Sequence, residues 1–306
     1  MDPLETVKPW KDTSYYLMLA AVERGHEVYV TTQSGLTLRH NRLFADARCV
    51  KVFDDHDRPF DAGQTGELDL GTVDVAWERT DPPVNRRYLY ASLLLDFLPE
   101  SVTVINRPAA IRDWNEKLSA LRFPELTPAT LVTSRADEIR RFAEGFDRIT
   151  LKPIDGHGGK GVEFVEAGSP QFDSVAQRVT GDGRRWTIVQ EYLAEANEGD
   201  KRILLLAGEP IGAVLRVHAE GKELNNFDQG GAAFATTLTE RDLEICAAVG
   251  PELRQSGILF AGIDVIGGKL MEVNVTSPTG LQEAARFGRE PLHHRIIERL
   301  ESGWSA

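Results

Sequence analysis

The sequence predicts an α/β protein built in more than one part, and three observations carry that reading. Strand-like and helical segments alternate through the first 110 residues; a two-residue Gly267-Gly268 step separates two apolar strand patterns; and 306 residues suffice for about two domains or one elaborate α/β unit.

In order along the chain, SYYLMLAAVER (14–24) has helical spacing and stops at Gly25. EVYVTT, ARCVKVF, VDVAWER and VTVIN read as strands. Between the last two, RRYLYASLLLDFL is an amphipathic helix, and this alternation implies a mostly parallel sheet. From about 111 the pattern changes: IRDWNEKLSALRF is helical, TPATLVT is a short strand, and SRADEIRRFAEGF opens with Ser134 as its N-cap. RITLKP and GVEFVEA flank a glycine-rich turn like the arms of a hairpin. TIVQEYL and KRILLLAGEPIGAVLRV follow as strands, and a helix covers about 239–256. The polar stretch 221–237 is the candidate mobile loop, being long and poor in periodicity. The change of pattern near 111 is the boundary the sequence itself offers.

Composition, 42% hydrophobic and 27% charged, is ordinary for an enzyme. A formal charge of −12 argues against a nucleic-acid surface, although a local basic pocket for phosphates survives it. The longest apolar runs, ILLLA and LFAGIDVI, are too short to span a bilayer, and MDPLETVKPW lacks the pattern of a signal peptide. With Cys49 and Cys246 as the cysteines, neither a disulfide framework nor a zinc site is expected, and a reducing cytosol is the natural compartment.

Three stretches carry chemistry. In FAGIDVIGGKLMEVNV, alternation puts Glu272 and Asn274 on one face, with Met271, Val273 and Val275 on the other, and the Gly267-Gly268 turn brings Asp264 alongside. Two carboxylates and an amide oxygen suit Mg²⁺ or Mn²⁺; the same pattern also fits the polar face of an ordinary hairpin. In LKPIDGHGGKGVEFV, the glycines Gly156, Gly158, Gly159 and Gly161 let backbone amides approach phosphate oxygens, and Lys152 adds a positive charge. The spacing is neither a Walker loop nor a dinucleotide fingerprint, and a plain flexible turn is the other reading. His157 in this loop is solvent-facing or phosphate-adjacent. In IVQEYL, a strand end at Gln190, Glu191, Tyr192 and Leu193 can read an adenine edge, with Asp200 holding ribose hydroxyls; a strand-to-loop transition explains it equally. Cys246 reads as a small core residue, and His293 and His294 as surface or packing residues.

Taken in this order and spacing, these stretches resemble the ATP-grasp superfamily and, within it, the bacterial glutathione synthetase family. The resemblance spans nearly the whole chain: MDP at the start, KDTS (11–14), RTDPP (79–83), NRP (106–108), RDWNEKL (112–118), LTPATLVT (126–133), LKPIDGHGGKGV, GDKRILL (199–205), LTERD (238–242) and GIDVIGGKLMEVNVTSPTG. It implies an ATP-grasp fold preceded by a Rossmann-like α/β domain over 1–110, with a small lid subdomain over 111–187 and a catalytic subdomain over 188–306. It implies that Lys117 and Lys152 contact ATP phosphates under the 156–161 loop. Gln190 through Leu193 are then the adenine hinge, Asp200 is near the ribose, and Asp264, Glu272 and Asn274 are ligands of Mg²⁺ or Mn²⁺. Arg202, Arg216, Asn274 and Ser277 fall where such enzymes bind the acceptor amino acid or steady an acyl phosphate. Arg79 falls where they contact the peptide donor, or else pairs with Asp81, and Asn226 lies in the substrate lid. The implied reaction joins γ-glutamylcysteine and glycine with ATP, in a cytoplasmic homo-oligomer, commonly a tetramer.

Two features depart from the resemblance. Its members begin with an apolar strand just before the MDP segment, whereas Met1 starts at that segment, so a central first strand is expected to be missing and sheet edges exposed. Around Gly230-Gly231 the lid pattern carries two arginines, and Leu224 and Ala232 stand in their places, removing charged forks that bind carboxylate or phosphate. A different dipeptide donor or amine acceptor, or an ATP-binding homologue without turnover, is the alternative that follows.

Overall fold

The computed structural model describes residues 1–218 and 231–304. Helix α1 (Thr13–Glu23) forms where its apolar spacing predicts, because the Asp12 carboxylate accepts from the amides of Ser14 (2.7 Å) and Tyr15 (3.3 Å) and satisfies two orphan donors. Its Tyr15, Met18 and Leu19 pack on Val30, Val50 and Val52 of a sheet made of β1 (Val28–Val30), β2 (Leu36–Arg39), β3 (Arg42–Val52), β4 (Phe60–Ala62) and β5 (Gly66–Asp69).

The mostly parallel arrangement expected here is corrected by this sheet. The long β3 pairs antiparallel with β1, β2, β4 and β5. His40 and Asn41 (φ 49° and 59°) form the two-residue turn from β2 to β3, which forces antiparallel pairing, and the links around β4 are too short for a parallel crossover. The one parallel pair among the described residues is β6 (Val75–Trp77) with β7 (Thr103–Ile105), joined through α2 (Arg86–Leu95). Among the described residues β1 pairs only with β3, and β6 only with β7, so within that set each leaves one edge without a strand. Both strands line one cavity of about 1010 Å³, with Met1 at its wall. The Met1 ammonium donates to the carbonyl of Thr31 at 3.0 Å, and burial lowers its pKa.

The single helix expected over 111–123 is two pieces. α3 (Pro108–Asp113) stops early because the Asn115 carboxamide oxygen accepts from the amides of Lys117 (3.1 Å) and Leu118 (3.0 Å), a local turn that competes with helix; a short 3₁₀ turn at Ser119–Arg122 follows. Just before α3, Asn106 uses its whole carboxamide. Nδ2 donates to the carbonyls of Phe260 and Val275, and Oδ1 accepts from the amides of Leu259 and Phe260, clipping the first part of the chain to the last.

Next come β8 (Thr130–Thr133), α4 (Ala136–Ala143), β9 (Arg148–Pro153), β10 (Glu163–Glu166), α5 (Phe172–Thr180) and β11 (Thr187–Glu191). The strands form an antiparallel sheet in the order β10-β9-β11-β8, backed by α4 and α5 through Ile139, Ile149, Leu151, Phe172 and Val189. Ser134 does not cap α4. The N-cap position falls on Arg135, and the Thr133 hydroxyl accepts the Arg135 amide at 3.0 Å instead.

The last sheet runs β14-β13-β12-β15-β16, from β12 (Asp200–Leu206), β13 (Glu209–Val217), β14 (Ala232–Phe234), β15 (Phe260–Ile266) and β16 (Lys269–Asn274). The second half of central β12, Ile203–Leu206, is wholly apolar because both its faces are covered there. Ile203 and Leu205 pack with Ile245, Val249 and Leu253 of α6 (Glu240–Gln255). Leu204 and Leu206 pack on the other side, with Leu281 of α7 (Leu281–Gly288) and Ile296 of α8 (Leu292–Glu301). Of the candidate loop 221–237, the part through Gly230 lies outside the described residues, whereas Ala232–Phe234 pair with Leu215–Val217 as β14.

Candidate active site

The site begins with the β15–β16 hairpin. Gly267 (φ 56°) and Gly268 (φ 72°) occupy the two turn positions at which side-chain-bearing residues are strained. The resulting register sets Asp264 directly opposite Glu272 and Gly262 opposite Asn274. Pairing then jumps to Val265 opposite Leu270, leaving Met271 as the extra residue of a bulge. Alternation therefore fails at that point, and Met271 lines the same cleft as Glu272.

Asp264 is buried among arginines. Arg202 faces it across β12 and β15 and grips both carboxylate oxygens, Nη2 donating to Oδ2 at 2.9 Å and Nε to Oδ1. Arg216 reaches Asp264 Oδ2 at 3.0 Å and Asp200 Oδ2 at 2.6 Å; Asp200 is its cross-strand partner on β12. Asn274 Nδ2 donates to Asp264 Oδ2 at 3.3 Å. Burial works to raise the pKa of Asp264, but Arg202 and Arg216 outweigh it and hold the carboxyl well below its ordinary value. For Asp200 burial wins, and its pKa rises to about 6 against the pull of Arg216.

A second charged group lies beside Glu272. Lys117, buried at 6% exposure, ion-pairs with Glu116, stands 3.6 Å from Glu272, and donates to the carbonyl of Gly156. Burial alone would lower the Lys117 pKa; the two carboxylates raise it. Glu116 is pushed up to about 7, first by burial and then by repulsion from Glu272. Sequence reasoning passed over Glu116, although it adjoins Lys117 in RDWNEKL. Its carbonyl also accepts the Val273 amide at 2.8 Å, holding β16 beside this segment.

The four-stranded and five-stranded sheets meet across a cleft of about 90 Å³. Lys117, Lys152, Lys160, Glu191, Asp200, Asp264 and Glu272 supply its charged lining, and burial lowers the Lys152 pKa. Val162, Phe164, Leu193, Ile266 and Met271 supply its apolar lining. Gly156, Gly159 and Tyr192 also reach it. Gly158 (φ 59°) stands between the two loop glycines without lining the cleft. Gln190 is turned away: its Nε2 donates to Thr130 Oγ1 at 2.9 Å.

Two predicted residues meet elsewhere. Arg79 is buried, with Nε donating to Ser14 Oγ at 3.0 Å and Nη2 to the carbonyl of Pro278 at 3.4 Å, while Nη1 is buried without a hydrogen bond. Ser277 (φ 43°) donates to the carbonyl of Thr80 at 2.8 Å, so RTDPP and TSPTG form one wall. Asn226 and Leu224 lie outside the described residues. Cys246 is buried in the core, and burial pushes its thiol up to about 12, as for an inert packing residue.

Residues 1–112 match the N-terminal domain of prokaryotic glutathione synthetase, and residues 116–289 match its ATP-grasp domain. The chain is 44% identical to the glutathione synthetase of Gloeobacter violaceus, over 98% of this chain and 94% of that protein. It is 39% identical to that of Rhodopseudomonas palustris, covering 99% and 96%. Among solved structures it is similar to the ATP-grasp ligase PsnB complexed with minimal precursor (TM-score 0.60, 20% identity, 93% and 94% covered). It is also similar to the macrocyclase MdnC bound with precursor peptide MdnA from Microcystis aeruginosa (TM-score 0.62, 13% identity, 95% and 97% covered). These two likenesses are of fold.

Proposed function

We propose, for a chain that belongs to the prokaryotic glutathione synthetase family, that the cleft between the two sheets is where γ-glutamylcysteine and glycine are joined at the expense of ATP. The chain is an ATP-dependent carbon–nitrogen ligase. The observation that carries the site assignment is the meeting of Lys117, Lys152, Gly156, Gly159, Asp264 and Glu272, from separate segments, in one cleft.

A free carboxylate is a poor acyl donor. In the proposed reaction it takes the terminal phosphoryl of ATP, the glycine amine attacks the acyl phosphate, and inorganic phosphate leaves. Lys117 and Lys152 neutralise charge on the phosphoryl oxygens, and the glycine loop presents backbone amides to them. Glu191, Tyr192 and Leu193, with Phe164 and Met271, take the adenine, and Asp200 takes the ribose; Gln190 contributes through its backbone. Arg202 and Arg216 stabilise the oxyanion of amine attack, and Arg79 with Ser277 binds peptide at the wall by Pro278. A cleft of about 90 Å³ is smaller than the roughly 300 Å³ at which ligand pockets begin, so admitting nucleotide requires the cleft to widen.

The donor set fits a hard divalent cation. Asp264, Glu272 and the Asn274 amide oxygen would hold Mg²⁺ or Mn²⁺, and the mutual repulsion of Glu116 and Glu272 is what such an ion would relieve. When bound, the cation neutralises charge on the transferring phosphoryl group. No helix among the described residues is long and apolar enough to cross a membrane, and the proposed setting is the cytoplasm, with a tetramer as the proposed assembly.

The test is ADP release by purified protein with Mg²⁺, supplied with γ-glutamylcysteine and a panel of acceptor amines, with the product identified by mass. Glutathione formed only when glycine and γ-glutamylcysteine are both present is the expected result. No ADP release from folded protein with that pair would overturn the substrate assignment. The panel matters because Ala232, opposite Val217 in the β13–β14 register, stands where the family pattern has an arginine; preference for another amine would favour the specialised-ligase reading.

A further inference from the structure

Three metal-ligating side chains meet where α1 packs on α8, and nothing in the proposed reaction uses them. Glu23 closes α1, and His293 and His294 lie in the first turn of α8. One ligand atom from each residue lies within 4.8 Å of the other two. His294 Nε2 is 3.0 Å from Glu23 Oε2, and these side chains are 26% and 45% exposed, so solvent reaches the group. His293 is different. It is 7% exposed, its ring is stacked on Tyr16 at 3.7 Å between centroids, and its Nδ1 is buried with no hydrogen-bond partner. A buried imidazole nitrogen of this kind calls for an explanation, and an ion is one. The sequence alone pointed to surface or packing residues, because the third ligand comes from the opposite end of the chain.

We propose that Glu23, His293 and His294 form a site for one divalent transition-metal ion, with zinc the best match to the donors, that fastens α8 to α1. Two imidazoles and a carboxylate make a mixed nitrogen and oxygen set with a fourth position left to water. Mg²⁺ prefers oxygen alone, so this site and the cleft select different ions. Tetrahedral bonds of about 2.0–2.1 Å put neighbouring ligand atoms about 3.3 Å apart. The Glu23–His294 contact therefore opens by only about 0.3 Å to admit the ion. The stacked Tyr16 holds the His293 ring in place, limiting the rearrangement that binding requires.

The test titrates tag-free, chelator-stripped, full-length protein with Zn²⁺ in excess Mg²⁺ by calorimetry, with Co²⁺ absorption as a report on coordination. One equivalent is expected to bind, raising Tm, while Glu23→Gln and His294→Asn each weaken binding at least about tenfold and leave the circular dichroism and Mg²⁺-dependent turnover unchanged. Absence of saturable Zn²⁺ binding by the unmodified protein, or wild-type affinity in both variants, would overturn the proposal.

Discussion

Arg202 and Asp264 face each other across β12 and β15, with Nη2 and Oδ2 2.9 Å apart and both side chains almost fully buried. Arg216 and Asp200 extend the pair into a group of two acids and two bases on three adjacent strands. Such a group is close to balanced while complete and unfavourable once one member is lost, because the remaining charge stays out of water.

Arg202→Met is therefore expected to cost about 3–5 kcal/mol, as is Asp264→Leu, with the double variant well short of their sum. Urea denaturation of the four proteins measures this. Additive costs, or single costs under about 1 kcal/mol, would show that the pair is not coupled as the geometry requires.

Glu116 makes the stability of the ligand-free protein depend on pH. Its folded pKa, about 7, lies above the ordinary value of 4.5, so the folded state binds the proton more tightly than the unfolded chain. The contribution is fully present below pH 4.5 and is lost as pH rises through about 7. Glu116→Gln should remove a decline on the order of 3 kcal/mol from the stability profile across that window. Identical profiles for the two proteins would contradict the assignment.

How much of this was legible in the sequence follows from the range of each interaction. The Asp264–Glu272 pairing was readable because Gly267-Gly268 fixes a hairpin locally, and the glycine loop because β9 and β10 flank it closely. The Met271 bulge was not, since alternation assumes an unbroken ladder. Nor was the Arg202–Asp264 grip, which depends on β12 pairing with a strand far along the chain. The antiparallel sheet around β3 was missed for a local reason: His40-Asn41 adopts positive φ without the glycine that usually signals such a turn.

Loop substitutions separate two contributions to ATP use. A β-carbon at Gly156 would stand 2.6 Å from Pro153 Cγ and 2.8 Å from the Lys160 carbonyl, so Gly156→Ala must move backbone. It is expected to raise KM for ATP about tenfold with a smaller effect on kcat. Lys152→Met leaves the backbone alone and removes the charge; kcat should fall at least about a hundredfold with Tm within a few degrees of the parent. Near-normal turnover in Lys152→Met would remove that residue from the phosphoryl-transfer machinery.

The cavity between β1 and β6 yields the last prediction. Val28–Val30 and Val75–Trp77 each line it with an edge that no strand among the described residues covers. An engineered extension of about six residues ahead of Met1, alternating valine and isoleucine with small residues, would span roughly 20 Å and pair with both edges. It would bury apolar surface against Leu17, Val30 and Leu70, and it would replace the buried Met1 ammonium, whose desolvation is unfavourable, with a neutral amide. Each added backbone hydrogen bond contributes about 0.5–1.5 kcal/mol, so several should raise Tm by at least about 5 °C. A scrambled extension of polar residues is the control, because it has the same length without the pattern. Equal Tm values for the two extensions would mean that the cavity does not accept a strand.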